Sequence, residues 1–269
     1  EGNVIHGFLG IATDITQQKE QQAIIEKQNS DLELLNKTKD KFFSIVAHDL
    51  KSPLNSLKAF SGLLADHAEH LSKEEIADMG KQLHSSVTNA IKMADNLITW
   101  ARIQMNDVVY APEAINVKDI IANVCDVYKD VARNKGISVA CSMEDSLSII
   151  GDKNQLEFVI RNLVNNAIKF TPKEGTVSLL GKSINDSDVE ISISDSGVGM
   201  PKEVVANLFS IGSKQSTTGT GGEKGTGLGL MLSYEFLKKN GGKISVESAE
   251  GKGTTFRVAL KRTTTIGAF

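Results

Sequence analysis

A stripe of mostly apolar residues, spaced alternately three and four positions apart, runs through the first part of the chain. This is the heptad pattern of a coiled coil, although two of its members are polar. Around the stripe Gly and Pro are scarce, and Glu, Lys, Gln, Leu and Ala dominate, so helix is predicted from about residue 15 to residue 102. A parallel, dimeric coiled-coil helix is the first interpretation, and one long surface helix is the alternative. The stripe comprises Ile25, Gln28, Leu32, Leu35, Lys39 and Phe42.

A break in this helical segment is predicted near residue 71, where Ser72 and Glu75 have the spacing of a capping box. A second helix then runs to about Met105. Two helices joined by a short turn form a hairpin, and two such hairpins close into a four-helix bundle. Ahead of the first helix, alternating apolar residues predict a strand, with Asp14 or Thr16 near the helix start.

The pattern changes after Pro112, where strand-like runs begin to alternate with helices. Helices are predicted at 117–134, 152–169 and 227–239, and several strands follow one another across short turns. Such strands form a mixed, largely antiparallel sheet with the helices on one face. The predicted fold class is therefore α+β: a helical hairpin that builds a dimeric four-helix bundle, followed by an α/β sandwich.

Composition narrows the possible functions. Of the 269 residues 23 % are charged and the formal net charge is -3, so bulk nucleic-acid binding is not expected. Cys125 and Cys141 lie in no CxxC motif, so we expect two buried thiols in a reducing compartment rather than a disulfide scaffold or a zinc ribbon. The chain starts without Met and holds no apolar run of membrane-span length, which predicts a cytoplasmic piece of a longer protein that could be anchored elsewhere.

Candidate binding chemistry begins in the run RNLVNNAIKFT, residues 161–171. On a helix Asn162, Asn166 and Lys169 are four and three positions apart and therefore share one face. Amide oxygens suit Mg²⁺ and a lysine ammonium suits phosphate oxygens, so this stripe can hold a cation and a phosphate chain. Taken alone, the stripe is better explained as a solvated polar face.

Two glycine-containing motifs follow. In DSGVGM, 195–200, the Asp195 carboxylate leaves a strand end where it can accept a hydrogen bond from an exocyclic amine, and Gly197 and Gly199 allow close backbone approach to a flat ligand. An ordinary tight turn is the alternative. GTGLGL, 225–230, opens a helix whose backbone N–H groups favour anions. It lacks the third glycine of a dinucleotide fingerprint, and the sequence contains no Walker-type phosphate loop.

The order of these motifs resembles that in the ATP-binding domain of sensor histidine kinases and of the related gyrase, heat-shock chaperone and MutL proteins. NLVNNAIKFT resembles their N box, DSGVGM the first glycine box, LFS the phenylalanine box and GTGLGL the second glycine box. The resemblance covers about residues 113 to 262. It implies that Asn166 coordinates Mg²⁺ with help from Asn162, that Lys169 contacts phosphate, that Phe170 flanks the base and that Asp195 binds the adenine amino group.

The same resemblance identifies the polar, glycine-rich segment 200–226 as a lid over ATP. Phe209 would be its apolar anchor. From the lid Lys214 or Lys224 could reach the γ-phosphate, and the alternative is that both are solvated lid charges. The glycine boxes would contribute the remaining nucleotide contacts, Gly197, Gly199, Gly225, Gly227, Leu228 and Gly229.

The helix around His48 carries a second resemblance. FSIVAHDLKSPLNSL resembles the H box of sensor kinases, in which a histidine of the first bundle helix is phosphorylated. A neutral imidazole is a competent nucleophile toward a γ-phosphoryl group, and Asp49 would orient the ring and stabilise its developing charge. Pro53 removes a backbone hydrogen bond and predicts a bend in the helix. Ser52 stands where many relatives carry a Thr or Asn that helps dephosphorylate the partner, which leaves phosphatase activity open.

Together the residues and the resemblance predict a homodimeric histidine kinase that uses ATP and Mg²⁺, phosphorylates His48 and passes the phosphoryl group to an aspartate of a response-regulator receiver domain. The alternatives are a non-catalytic nucleotide-binding scaffold and a chaperone- or repair-type ATPase. This fragment is expected to contact neither nucleic acid nor a membrane. GFLGIATDIT resembles the end of a PAS sensor domain. The predicted segments are 1–14 (PAS-like end), 15–40 (coiled-coil signalling helix), 41–106 (dimerisation and histidine phosphotransfer), 113–262 (ATP binding) and 263–269 (tail), with a hinge near 106–113.

Overall fold

The computed structural model of the protein describes residues 14–105, 107, 109–144, 147–209, 218–223, 225 and 227–263. For residues 31, 34, 35, 38, 41, 42, 45, 48, 49 and 68 it describes the backbone alone. The predicted PAS-like strand, Lys214 and Lys224 therefore lie outside the described residues. The side chains of His48 and Asp49 do so as well.

Helix α1 spans Thr16–His67. The Asp14 carboxylate accepts a hydrogen bond from the Thr16 N–H at 2.9 Å, which confirms the predicted helix start. Up to Ser44, every residue whose side chain is described is exposed. Ile25 and Leu32 of the heptad stripe are 50 % and 57 % exposed, and most helical stability in proteins comes from burying such a stripe. The coiled-coil pairing, which requires a second chain, stays a prediction.

From Ile45 onward α1 continues through Pro53 without interruption, and the predicted bend stays a prediction. A single 3₁₀ turn, Ala68–His70, separates α1 from α2, Lys73–Gln104. Leucines from both helices line one groove, as expected of a hairpin; they are Leu54, Leu57 and Leu64 of α1 and Leu83 of α2.

The predicted capping box at the start of α2 is confirmed. The Ser72 hydroxyl accepts a hydrogen bond from the Glu75 N–H at 3.2 Å, and the Glu75 carboxylate accepts one from the Ser72 N–H at 2.8 Å. These two bonds satisfy backbone donors that a helix start otherwise leaves without a partner.

Ser72→Ala is expected to lower the free energy of unfolding by about 1 kcal/mol, because the N-cap acceptor is lost. Urea denaturation followed by helical circular dichroism, at one protein concentration, measures this change. Ser85→Ala, an exposed serine inside α2, is the matched control and is expected to be neutral or slightly stabilising. An equal loss in both variants would contradict the capping role.

The C-terminal half is an α/β sandwich with a mixed sheet, as predicted. Its five-stranded sheet has the order β2-β4-β5-β7-β6, and only the β2–β4 pair is parallel. The strands are β2 Ser138–Met143, β4 Thr176–Asn185, β5 Asp188–Asp195, β6 Lys243–Ser248 and β7 Thr254–Lys261.

Three helices pack on one face of this sheet and bury the core. The core residues Val159 and Leu163 of α4, Ile193 of β5 and Val258 of β7 are fully buried. Successive side chains of a strand point to opposite faces of the sheet, so every second residue of these strands can be apolar and face the helices. The helices are α3 Val117–Lys135, α4 Lys153–Phe170 and α6 Gly229–Lys239, close to the predicted bounds.

Two elements were not predicted. Strand β1, Glu113–Asn116, pairs antiparallel with β3, Ser148–Gly151, in a separate small sheet. Its four residues contain one large apolar side chain, so no alternation marks it. The five-residue helix α5, Lys202–Ala206, follows the first glycine motif and is shorter than periodicity can detect.

The cysteine prediction was wrong. A disulfide joins Cys125 of α3 to Cys141 of β2, and Cys141 is exposed rather than buried. The reason is topological: α3 ends at Gly136 in the left-handed conformation, and the chain turns back so that β2 packs beside α3. A sequence separation of 16 carries no motif that would reveal this pairing.

A buried polar cluster fixes α4 relative to α6. The Asn240 side chain, at the end of α6, accepts from the Asp152 N–H at 2.7 Å and donates to the Gln155 side-chain oxygen at 2.9 Å. Asp152 caps α4 by accepting from the Gln155 N–H at 3.1 Å, and it also accepts from the Ala111 N–H at 3.2 Å. The two helices that border the candidate site are thereby held in one arrangement.

Within the described residues no helix combines the length and the apolar character needed to cross a membrane.

Candidate nucleotide site and phospho-acceptor helix

The predicted N box and both glycine boxes meet in the structure. The Val198 N–H, in the loop after β5, donates to the Phe170 carbonyl at the end of α4 at 3.2 Å. The Asn162 amide of α4 donates to the Ser233 hydroxyl of α6 at 2.8 Å. Motifs that lie up to about 70 residues apart in sequence therefore surround one location, because α4 packs against both segments.

Asp195 ends β5 with one carboxylate oxygen already engaged. Its Oδ1 accepts hydrogen bonds from the Gly197 N–H at 2.8 Å and from the Thr254 N–H at 3.2 Å. Among the described residues no donor bonds Oδ2. Burial raises the pKa of Asp195 above its ordinary value, and the two backbone donors partly oppose that increase. The carboxylate is thus held in a fixed orientation with one acceptor left for a ligand.

The backbone beside the Asp195 carboxylate is packed so closely that only glycine fits at positions 197 and 199. A Cβ on Gly197 would collide with the Phe170 carbonyl and would lie 2.7 Å from Asp195 Oδ1. Gly199 has a φ of +65°, and a Cβ there would collide with the Ala249 carbonyl. The turn therefore needs glycine at these two positions for close packing and for backbone conformation.

The two candidate metal ligands differ in their surroundings. The Asn162 amide nitrogen donates to the Ser233 hydroxyl, and the Asn162 side-chain oxygen lies so close to Gly229 that a Cβ at position 229 would collide with it. Asn166 is half-buried, and no side chain among the described residues bonds its amide. Because Asn162 Oδ1 is packed against Gly229, the amide oxygen of Asn166 fits a cation better than that of Asn162.

Lys169 and Phe170 stand together at the end of α4. The Lys169 ammonium lies 4.6 Å from the centroid of the Phe170 ring, within the range of a cation–π contact. Lys169 is only 8 % exposed. Burial lowers its pKa, the nearby Glu223 carboxylate acts to raise it, and the Lys135 ammonium lowers it further. This is a cation held in a site where an added anion would relieve part of its desolvation cost.

The second glycine box starts α6 as predicted. Gly227 has a φ of +68°, and Leu228, which is buried, precedes the helix. Gly225 also lies among the described residues at this helix start. The predicted lid anchor, Phe209, stacks on Tyr234 of α6 with ring centroids 5.7 Å apart, which ties the first part of the lid to the same helix.

The H-box residues lie on a different element, α1. The backbone of His48 and Asp49 is helical. One turn further along, Ser52 is exposed, and its carbonyl accepts a hydrogen bond from the Ser56 hydroxyl at 3.2 Å. The candidate phospho-acceptor thus lies on α1, whereas the candidate nucleotide-site residues lie on α4, β5 and α6.

Sequence reasoning missed several residues that shape the nucleotide site. Ser233 follows Gly229 by one helical turn, so its contact with Asn162 could have been found from helix spacing once α4 and α6 were known to pack. Thr254, Thr220 and Lys135 reach the site from distant segments, and no local pattern marks them.

Two family models match the chain in the order that the motifs predict. Residues 38–106, which contain His48, match the model described as His Kinase A (phospho-acceptor) domain. Residues 151–264, which contain the nucleotide-site residues, match the model described as Histidine kinase-, DNA gyrase B-, and HSP90-like ATPase. Over these two regions the chain is similar to histidine kinases. The α+β fold prediction is thereby confirmed, with the helical phospho-acceptor domain ahead of the ATPase domain.

Curated relatives are sensor kinases of greater length. Sensor histidine kinase GacS of Pseudomonas protegens is 28 % identical over 249 residues, which cover 88 % of this chain and 27 % of GacS. Sporulation kinase A of Bacillus subtilis is 33 % identical over 218 residues, which cover 81 % of this chain and 34 % of that kinase. The chain thus spans 27 % and 34 % of the length of these two relatives.

Solved structures share the fold. The crystal structure of histidine kinase ThkA in complex with response regulator protein TrrA matches with a TM-score of 0.63 at 19 % identity, over 93 % of this chain and 68 % of that chain. At this identity the likeness concerns the fold.

Proposed function

We propose that the protein is an ATP-dependent protein-histidine kinase that phosphorylates itself on His48 and passes the phosphoryl group to an aspartate of a response regulator. The observation that carries this proposal is the presence, in one chain, of a phospho-acceptor domain containing His48 and an ATPase domain with an oriented Asp195 carboxylate. A scaffold that only binds nucleotide leaves the H box without a role, and so does a chaperone-type ATPase.

The adenine base is bound through Asp195. Its Oδ2 accepts a hydrogen bond from the exocyclic amine, while Oδ1 stays with Gly197 and Thr254. Phe170 flanks the base, and Lys169 supplies a positive charge toward the phosphates. Bonds to charged groups of this kind are stronger than neutral ones, so these residues account for both orientation and affinity.

Mg²⁺ is assigned to Asn166. Its amide oxygen is the better donor because Asn162 Oδ1 is packed against Gly229 while Asn162 Nδ2 donates to Ser233. Magnesium usually keeps few protein ligands and takes the rest from phosphates and water, which a single amide oxygen fits. When bound, the ion neutralises charge on the phosphate oxygens. Asn162 instead positions α6, whose start carries the glycines of the second box.

The imidazole of His48 is the phosphoryl acceptor in its neutral form. Its unprotonated nitrogen forms the new P–N bond as the bond from the γ-phosphorus to the bridging oxygen breaks and ADP leaves. In the reactive state Asp49 would accept a hydrogen bond from the other ring nitrogen and stabilise the positive charge that develops on the ring. The phosphoryl group then moves from nitrogen to a carboxylate oxygen of the regulator, and the imidazole returns to its neutral state.

A second copy of the chain is the proposed partner in the bundle. Apolar side chains on α1 and α2 are exposed in the single chain, among them Leu54, Leu63, Ile91 and Ile98. Exposed large apolar residues on bundle helices are typical of a face that a partner helix covers. The response-regulator proposal is supported by ThkA, whose solved complex contains the regulator TrrA. Ser52 is exposed, and its hydroxyl can orient a water that hydrolyses the aspartyl phosphate of the regulator and releases inorganic phosphate.

Label transfer from γ-labelled ATP tests the function. Wild-type protein is expected to become labelled with an acid-labile phosphoryl group, and His48→Ala is expected to bind ATP but take up no label. His84→Ala, which removes an exposed histidine of α2, is the control and is expected to label normally. Equal labelling of the His48 and His84 variants would overturn the proposal.

A further inference from the structure

The C-terminal end of α4 is closed by groups from other segments. A helix leaves its last four carbonyl groups without intrahelical partners. The carbonyls of Ile168 and Lys169 both accept hydrogen bonds from the Lys135 ammonium, at 2.8 Å each. The Ala167 carbonyl accepts a hydrogen bond from the Thr171 hydroxyl, and the Phe170 carbonyl accepts one from the Val198 N–H. Lys135, at the end of α3, is therefore the side chain that completes this helix end.

The turn 218–223 lies against the same helix end. The N–H and the hydroxyl of Thr220 both donate to the Lys169 carbonyl, at 3.0 and 3.1 Å, and the hydroxyl also lies 2.7 Å from the Thr171 carbonyl. Gly219 packs so closely that a Cβ there would lie 2.5 Å from Lys169 Cγ. The turn thus covers Lys169, which explains why so little of this lysine is exposed.

Glu223 fastens the turn. One oxygen of its carboxylate lies 2.8 Å from the Lys135 ammonium, and the other accepts from the Gly221 N–H at 2.9 Å. Its carbonyl accepts from the Gly219 N–H at 2.8 Å. The side chains of Lys135 and Glu223 are 16 % and 41 % exposed, so solvent screens this pair less than a surface pair. One carboxylate therefore both shapes the turn and attaches it to α3 and α4.

We propose that Lys135 and Glu223 are positioning residues for the nucleotide. Their ion pair holds the turn 218–223 on the end of α4 and so fixes Lys169 and Phe170, which contact the phosphates and the base. This inference rests on the proposed ATP-binding function. The ion pair attaches the glycine-rich segment to the ATPase domain beside Lys169, the side chain proposed to contact the phosphates.

Calorimetric titration of Mg-ATP into Glu223→Gln tests the inference, because Gln keeps the shape and the acceptor for Gly221 but removes the charge. We expect binding to weaken about fivefold, as for loss of one partly buried charge-assisted contact, with the unfolding temperature of the nucleotide-free protein unchanged. Glu247→Gln is the control, since it removes the charge from a more exposed pair, between Glu247 of β6 and Arg257 of β7. It is expected to bind like the wild type.

Lys135 variants separate positioning from folding. Lys135→Arg is expected to restore near-normal binding, and Lys135→Met to weaken it. The double variant Lys135→Met/Glu223→Gln is expected to bind no worse than Lys135→Met alone, because both changes break one pair. Wild-type affinity in Glu223→Gln, additive losses in the double variant, or weakened binding only in step with a lowered unfolding temperature would each overturn the inference. A wild type that fails to bind Mg-ATP would overturn the proposed function as well.

Discussion

Asp195→Asn is expected to weaken ATP binding by about ten- to a hundredfold, the range for losing a hydrogen bond to a charged group. Asparagine keeps an oxygen at the Oδ1 position for Gly197 and Thr254, so the turn is preserved. At the Oδ2 position asparagine places an NH₂ group. This group is a hydrogen-bond donor, so it faces the adenine amine, another donor, and cannot accept a bond from it. Titration with Mg-ATP measures the loss.

The same substitution is expected to leave the nucleotide-free protein as stable as the wild type, or more stable. Burial raises the pKa of Asp195 above its unfolded value. At a pH above the folded-state and unfolded-state pKa values of Asp195, the ionised carboxylate therefore lowers the free energy of unfolding. This cost disappears as the pH falls below both pKa values. A neutral amide avoids the cost at neutral pH. Thermal unfolding without nucleotide measures it.

Asp188→Asn, at the other end of β5, is the control. A hydrogen bond from Lys261, followed by one from Asn185, lowers the pKa of Asp188. Its stabilising contribution is present above the unfolded pKa and is lost as the pH falls, so the control is expected to destabilise slightly at neutral pH and to bind ATP normally. Normal ATP affinity in Asp195→Asn would contradict the assignment of the base site.

Gly197→Ala is expected to abolish most nucleotide binding. The added methyl group would collide with the Phe170 carbonyl and crowd Asp195 Oδ1, and because one of these is backbone at a fixed helix end, the glycine box or α4 must move. Overpacking of this kind costs about 1–3 kcal/mol in stability. ATP titration together with urea unfolding measures both effects.

Gly181→Ala provides the comparison for this change. Position 181 lies in β4 of the same sheet, and its Cβ would meet the Met143 side chain, which is flexible and can move aside. It is expected to bind ATP normally with a smaller loss of stability. If both alanine variants bind ATP alike, close packing at Gly197 is not what shapes the base site.

Local features of the fold could be predicted from the sequence because the chemistry that forms them is local. The Ser72–Glu75 capping box was confirmed atom by atom, and the predicted helix at 152–169 differs from α4 by one residue at each end. The ATP-site motifs were found for a similar reason: each is a short run whose residue types serve one chemical purpose.

What could not be predicted depends on which distant segments meet. The pairing of Cys125 with Cys141 follows from the turn at Gly136, and the contact of Asn162 with Ser233 follows from the packing of α4 on α6. Spacing placed Asn162 and Asn166 on one helix face, and the family resemblance implied that Asn162 assists Asn166 at the metal. Their different partners in the structure separate a helix-positioning amide from a candidate metal ligand.

Locating the phosphoryl group tests the proposed kinase reaction most directly. Wild-type protein is incubated with Mg-ATP, digested at neutral to alkaline pH to preserve P–N bonds, and mapped by mass spectrometry. We expect a phosphoryl group on His48 of the wild type and none on His48 of Asp195→Asn at ATP concentrations that saturate only the wild type. A phosphoryl group on any other residue, or ATP consumption with an unmodified His48, would contradict the proposed reaction.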